Sequence, residues 1–142
     1  MLGQQYFAFD GANSLEQLGG QTISKVFCGT KSGDISGSMT VDLYDVPLTG
    51  TGGTAAPPSE WTLIDSHTFT SLTGEQKLEW TLSNSHTIQA GHTIGTHANK
   101  AFVATYSSQQ VSVTFNTHYF SNAEATTSTA ISINAYDFYI NI

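Results

Sequence analysis

Histidine is the residue type in this chain best suited to chemistry near neutral pH, as metal ligand or proton carrier. There are five: His67, His86, His92, His97 and His118. A metal ion would need three or four of them at one point, and histidines on opposite faces of a strand cannot converge. His86 and His92 share a parity that His97 lacks, while Gly91 and Gly95 leave the local register open. No metal and no cofactor are expected, and the histidines read as wet-face residues. Paired carboxylates are the next candidates, since glycoside hydrolysis needs two acids about 5–10 Å apart in a cleft. Glu75 and Glu79 share a face, and Asp42 and Asp45 flank a strand end. Nothing places either pair beside aromatic walls, and among 11 acids such coincidences are ordinary.

Nucleophile motifs are absent. There is no Gly-x-Ser-x-Gly, and Gly29-Thr30-Lys31-Ser32 lacks the remaining spacing of a phosphate loop. Cys28, in a strand with Lys25 and Phe27, reads as an inert core thiol. No catalytic residue is assigned, and the chain is not expected to be an enzyme. Aromatic residues carry the case for binding. Tyr6, Phe7 and Phe9 would close a sandwich as its first strand or dock on a neighbour, and His118, Tyr119 and Phe120 interrupt a polar stretch. Those six are the candidate interface. Trp61, Tyr106 and Tyr119 are the candidate glycan-stacking residues of an alternative reading. Trp80 lies in phase with Leu78 and Leu82, and Trp61 with Leu63, which turns both indoles toward the core.

The chain that must position these residues has 142 amino acids, enough for one domain with its own core. Charged residues make up 11%, against about 25% in an average protein. Hydroxyls take their place, with 20 Thr and 16 Ser. The net charge is −7, and the only strong cations are Lys25, Lys31, Lys77 and Lys100. Four scattered lysines without any arginine cannot supply phosphate forks or counterion release, so neither nucleic acid nor an anionic membrane is expected as a partner. A single cysteine excludes an internal disulfide. The opening MLGQQYFAFDGAN has neither a basic region nor an apolar stretch, so no signal peptide is expected.

Period-2 alternation dominates. Met39, Val41 and Leu43 alternate with Thr40, Asp42 and Tyr44; Leu78, Trp80 and Leu82 alternate with Glu79 and Thr81; Val111, Val113 and Phe115 do the same. Ile131 and Ile133 lead through an expected bulge at 135–137 to Phe138, Ile140 and Ile142. Weaker strands are expected at 4–9, 21–28, 60–70, 87–94 and 100–106. One helical turn is expected near Ser14–Leu18, stopped by Gly19 and Gly20. Prolines 47, 57 and 58 read 45–60 as a loop, and 116–130 reads as a polar loop. The sum is a single all-β domain over 1–142, a sandwich of about 8–9 antiparallel strands. Immunoglobulin and jelly-roll topologies compete; the missing Cys–Trp–Cys signature and the two wide connections favour the jelly roll.

Residues 21–94 resemble a jelly-roll module of bacteriophage virion proteins and carbohydrate-binding surface proteins. The resemblance is carried by Gln21-Thr22-Ile23, Lys25-Val26, MTVDLYDV (39–46), the turn Pro47-Leu48-Thr49-Gly50, EWTLIDSHTF (60–69), KLEWTLS (77–83) and the Ile88–Ile94 hairpin strand. Where such modules often place a Tyr or Trp after Ala-Gly, His92 and Ile94 stand here, which weighs against a sugar site. Small stand-alone relatives of this kind are capsid cement, or decoration, proteins, often homotrimers. The resemblance therefore implies a structural virion protein on the capsid surface, with copies of itself in a homotrimer and a major capsid protein as partners. The alternative is a glycan-binding module of a tail appendage or surface adhesin.

Overall fold

The computed structural model describes residues 6–9, 19–30, 36–49, 54–73, 76–98, 114–120, 124, 126, 129–134 and 138–141. They form ten strands: β1 (Tyr6–Phe9), β2 (Thr22–Thr30), β3 (Ser36–Thr49), β4 (Thr54–Ala55), β5 (Thr62–Thr73), β6 (Gln76–Thr87), β7 (His92–Ala98), β8 (Thr114–Phe120), β9 (Thr129–Asn134) and β10 (Phe138–Asn141). One 3-10 turn, Pro58–Glu60, precedes Trp61. Every described pairing is antiparallel. The large sheet runs β4-β3-β7-β1-β8-β9, with β5 also on β3; the small sheet runs β10-β2-β6. The fold is all-β.

Alternation explains how the two sheets meet. Met39, Val41 and Leu43 of β3 are fully buried and pack with Phe69, Leu72 and Ile94 of the large sheet. Ile23, Val26, Trp80 and Leu82 close the same cluster from the small sheet. Each such aliphatic side chain contributes about 1.5–3 kcal/mol when fully buried. A second, smaller cluster of Ala8, Val46, Ala55 and Trp61 lies on the reverse face of the large sheet, with Tyr44 packed against it. Ala8 and Tyr44 both stand opposite Gly95 in register, which puts them in one row, and the 54–61 segment folds over that row.

Several boundaries differ from the sequence expectation. The 45–60 loop begins instead as strand, because β3 continues through Pro47 to Thr49. Pro47 accepts a bond from Ala56 N–H, so its polar groups face the two-residue β4, where a missing donor costs little. The strand expected at 87–94 is the end of β6, a turn and the start of β7, with Gly91 at φ 77° in the turn. The 116–130 loop is shorter than expected, since β8 reaches Phe120 and β9 starts at Thr129. The last two strands are not one bulged strand: β9 pairs with β8 in the large sheet and β10 with β2 in the small one. Both connections expected to cross between sheets stay within the large sheet, and the chain changes sheets elsewhere, as between β1 and β2, β2 and β3, β5 and β6, β6 and β7, and β9 and β10. The expected helical turn at Ser14–Leu18 and the strand at 100–106 lie outside the described residues.

Candidate functional site

Asp45 continues the inward parity of Met39, Val41 and Leu43, so the row of apolar side chains ends in a carboxylate that is 1% exposed. Two imidazoles reach it. On β7, Ile94 stands opposite Asp45 and His92 opposite Pro47, which makes His92 a diagonal neighbour on the same face. On β6, His86 pairs with the fully buried Ile23, after a register shift between Ile23 and Lys25, and reaches across from the small sheet. His92 Nδ1 lies 2.6 Å from Asp45 Oδ1, and His86 Nε2 lies 2.7 Å from Oδ2. The backbone N–H of Gln89 also donates to Oδ2, at 3.3 Å. A buried charge is tolerable only when it is hydrogen-bonded, and this one accepts three donors.

The connection that carries Gln89 is tightly held. Gly20 N–H donates to Ile88 O at 2.7 Å, Ile88 N–H to Gln21 O at 2.9 Å, and Leu48 N–H to Gly91 O at 3.2 Å. A Cβ on Gly19 would stand 3.1 Å from Gly91 N, so glycine there permits the close approach.

A second carboxylate, Asp42, lies on the opposite face of β3, so Asp42 and Asp45 cannot act as a pair. It sits in a row across three strands: Ser66 Oγ donates to Oδ1 at 2.6 Å, and His97 Nδ1 is 3.3 Å from Oδ2. Nucleophilic catalysis would need the hydroxyl proton to go to the imidazole, with the acid behind it. Here the carboxylate stands between the two, and it takes the proton bond from serine itself. Of the other expected acid pair, Glu79 is exposed and lies 3.8 Å from Lys25 Nζ, and Glu75 lies outside the described residues.

A third carboxylate closes the flank where β5 of the large sheet meets β6 of the small one. Asp65 accepts the Trp80 indole N–H at 3.2 Å, the Ser83 backbone N–H at 3.0 Å and the Ser83 hydroxyl at 3.3 Å. Burial alone pushes this carboxyl up, but the backbone donors of Ser83 and Ser66 and the Trp80 and Ser83 side chains outweigh it. The carboxyl is held below its ordinary 3.8. His67 stacks on Trp80 at 5.5 Å, and Phe69 meets both rings edge-on.

Trp61, expected under the alternative to stack on a sugar, is 8% exposed. Its indole N–H donates to Ala56 O at 2.8 Å, and Tyr44 meets its ring edge-on at 5.6 Å. Tyr106 lies outside the described residues. The six candidate interface residues fall in two neighbouring strands, where Tyr6 stands opposite Phe120, Phe7 opposite Tyr119, and Phe9 opposite Thr117. His118 pairs with Ala8. Both strands are interior, β1 between β7 and β8, and β8 between β1 and β9.

Sequence reasoning gave His86 and His92 a shared parity but read them as wet-face residues, whereas both are half-buried and bonded to Asp45, an acid it missed although the parity of β3 carries it inward. It missed the Asp65 clamp altogether, because its partners sit on another sheet. Among the described residues, no group of three or more His, Cys, Asp or Glu side chains is arranged to hold a metal ion. No described helix is long and apolar enough to cross a membrane. No protein-family model, no curated protein and no solved structure matches the chain.

Proposed function

We propose that this chain is a structural protein of a bacteriophage particle, a capsid cement protein that binds the major capsid lattice and stabilises it. The observation that carries the reading is the inward commitment of the groups a lectin or hydrolase would present. Both indoles are buried and donate within the chain, and Asp42, Asp45 and Asp65 are taken up by their own neighbours. What faces water on β5 and β6 is mostly short hydroxyls, such as Thr62, Ser66, Thr68, Thr70, Thr81 and Ser83. Such a surface suits a scaffold that stays soluble until it docks. Repeated passage of the chain between the sheets supports a jelly-roll reading of the sandwich.

In this reading the β1–β8 residues Tyr6, Phe7, Phe9, His118, Tyr119 and Phe120 and the tips of 45–60 and 116–130 contact other copies and the major capsid protein. Clamping stabilises by mass action, because only the assembled lattice offers the docking site. Light scattering across a dilution series tests the reading. The expected result is a homotrimer of about three times 15.2 kDa that ignores simple sugars in a glycan-binding assay. A monomer at every dilution would overturn the trimeric cement protein, and sugar binding would transfer the weight to the glycan-binding module.

A further inference from the structure

We propose that Asp45, His86 and His92 form an acid-tolerant clasp between the two sheets, in which both imidazoles can take up a proton without breaking a bond to the carboxylate. The inference starts from the donors. An ionised carboxylate only accepts, so each ring nitrogen that faces it carries the proton. That fixes the tautomers, with the proton on Nε2 of His86 and on Nδ1 of His92. Proton uptake therefore falls to Nδ1 of His86 and Nε2 of His92, the nitrogens not bonded to Asp45. Water reaches the rings, whose side chains are 30% and 22% exposed, and is kept from the acid, which is 1% exposed.

An imidazole that accepts a hydrogen bond loses it on protonation, whereas one that donates keeps the bond and gains a charge. Both rings here donate. Acid thus turns two neutral donors on Asp45 into charge-assisted ones, and the Gln89 N–H bond at 3.3 Å is untouched. With both rings neutral the site holds a single sealed negative charge, and the first proton cancels it. The other described charges on the neighbouring strands lie elsewhere. Asp42 and His97 share the opposite face of the large sheet. Lys77 and Glu79 stand opposite Gly29 and Phe27, toward the other end of β6, and Lys25 lies 3.8 Å from Glu79. Asp65 is bonded to Trp80 and Ser83, and His67 is stacked on Trp80. Segments 19–23 and 88–91, which border the two rings, contain no charged residue. Asp45 and His92 belong to the large sheet and His86 to the small one, so bonds that survive protonation keep the sheets joined.

Nitrogen-15 spectra of the unaltered chain, recorded from about pH 8 to about pH 5, provide the first test. At the upper end Nε2 of His86 and Nδ1 of His92 should carry the proton. On acidification the other nitrogen of each ring should gain one, and the two bonded-proton signals should persist. Asp45→Asn provides the second test. An amide presents one acceptor and one donor, so one of the two rings must adopt the opposite tautomer and accept. Acid then breaks that bond, and the variant should lose more of its urea midpoint between about pH 8 and about pH 5 than the parent loses. If Asp45→Asn does not fold, the spectra of the parent decide. Opposite tautomers in the parent, bonded-proton signals that vanish while the chain is still folded, or a variant midpoint that follows the parent's would overturn the proposal.

Discussion

Asp45 and Asp65 both reach from the large sheet to donors on the small one, yet they are satisfied by different chemistry. Asp65 takes its bonds from an indole, a hydroxyl and backbone amides. Asp45 takes two of its three from the half-exposed imidazoles of His86 and His92. The same task of joining two sheets is therefore met by a half-exposed carboxylate at one edge and by a carboxylate sealed under two imidazoles at the end of β3. How much each acid contributes depends on how far water can replace it as the acceptor of its donors.

The largest effect should come from removing the more deeply buried acid, Asp45. Asp45→Ala leaves two imidazole N–H groups and the Gln89 amide without an acceptor, and should lower unfolding free energy by about 3 kcal/mol in a urea titration. A loss below that of Asp65→Ala would break the comparison.

Asp65→Ala orphans the Trp80 indole and the Ser83 amide at a more accessible flank, and should cost about 1–2 kcal/mol. This tie also has a pH signature. Because its folded value lies below the ordinary 3.8, Asp65 stabilises the fold above about pH 4 and loses that contribution as the pH falls through the folded value. The gap in urea midpoint between the parent and Asp65→Ala should therefore narrow from about pH 5 to about pH 2. A gap that stays constant would show that the carboxylate charge contributes nothing.

Thr93 sharpens the contrast from the other side. It is 1% exposed and its hydroxyl has no hydrogen-bond partner. Thr93→Val keeps the shape and removes the unsatisfied group, so it should raise stability by about 1 kcal/mol, read as a higher melting temperature. A destabilised variant would mean that the hydroxyl is satisfied in solution.

Strand identity was legible where one face is dry and the other wet. Met39–Leu43 and Leu78–Leu82 stand in β3 and β6 with the expected faces inward. Parity fails where both faces are covered, as at Val46, which packs under Trp61 on the reverse side of the sheet. Pro47 misled for a related reason: the penalty of a missing donor depends on the neighbour that would have accepted it, and that neighbour is only two residues long. The candidate site was half legible. The shared parity of His86 and His92 could be read from the sequence, their burial against an acid could not, and Asp45 follows from the parity of its own strand. That the two sheets would bring His86 over Asp45 is a long-range fact, written in no local pattern.

The place of β1 has a consequence for how the chain reaches this state. Tyr6–Phe9 is inserted between β7 and β8, so Tyr6 must find both His97 and Phe120. Until that happens the large sheet is two separate pieces, β3 with its neighbours and the β8–β9 hairpin. On the ribosome, Tyr6–Phe9 therefore lacks its first described partner until β7 has been made and its second until β8 follows. Folding should be limited by this late insertion, with the slow rate typical of pairings distant in sequence.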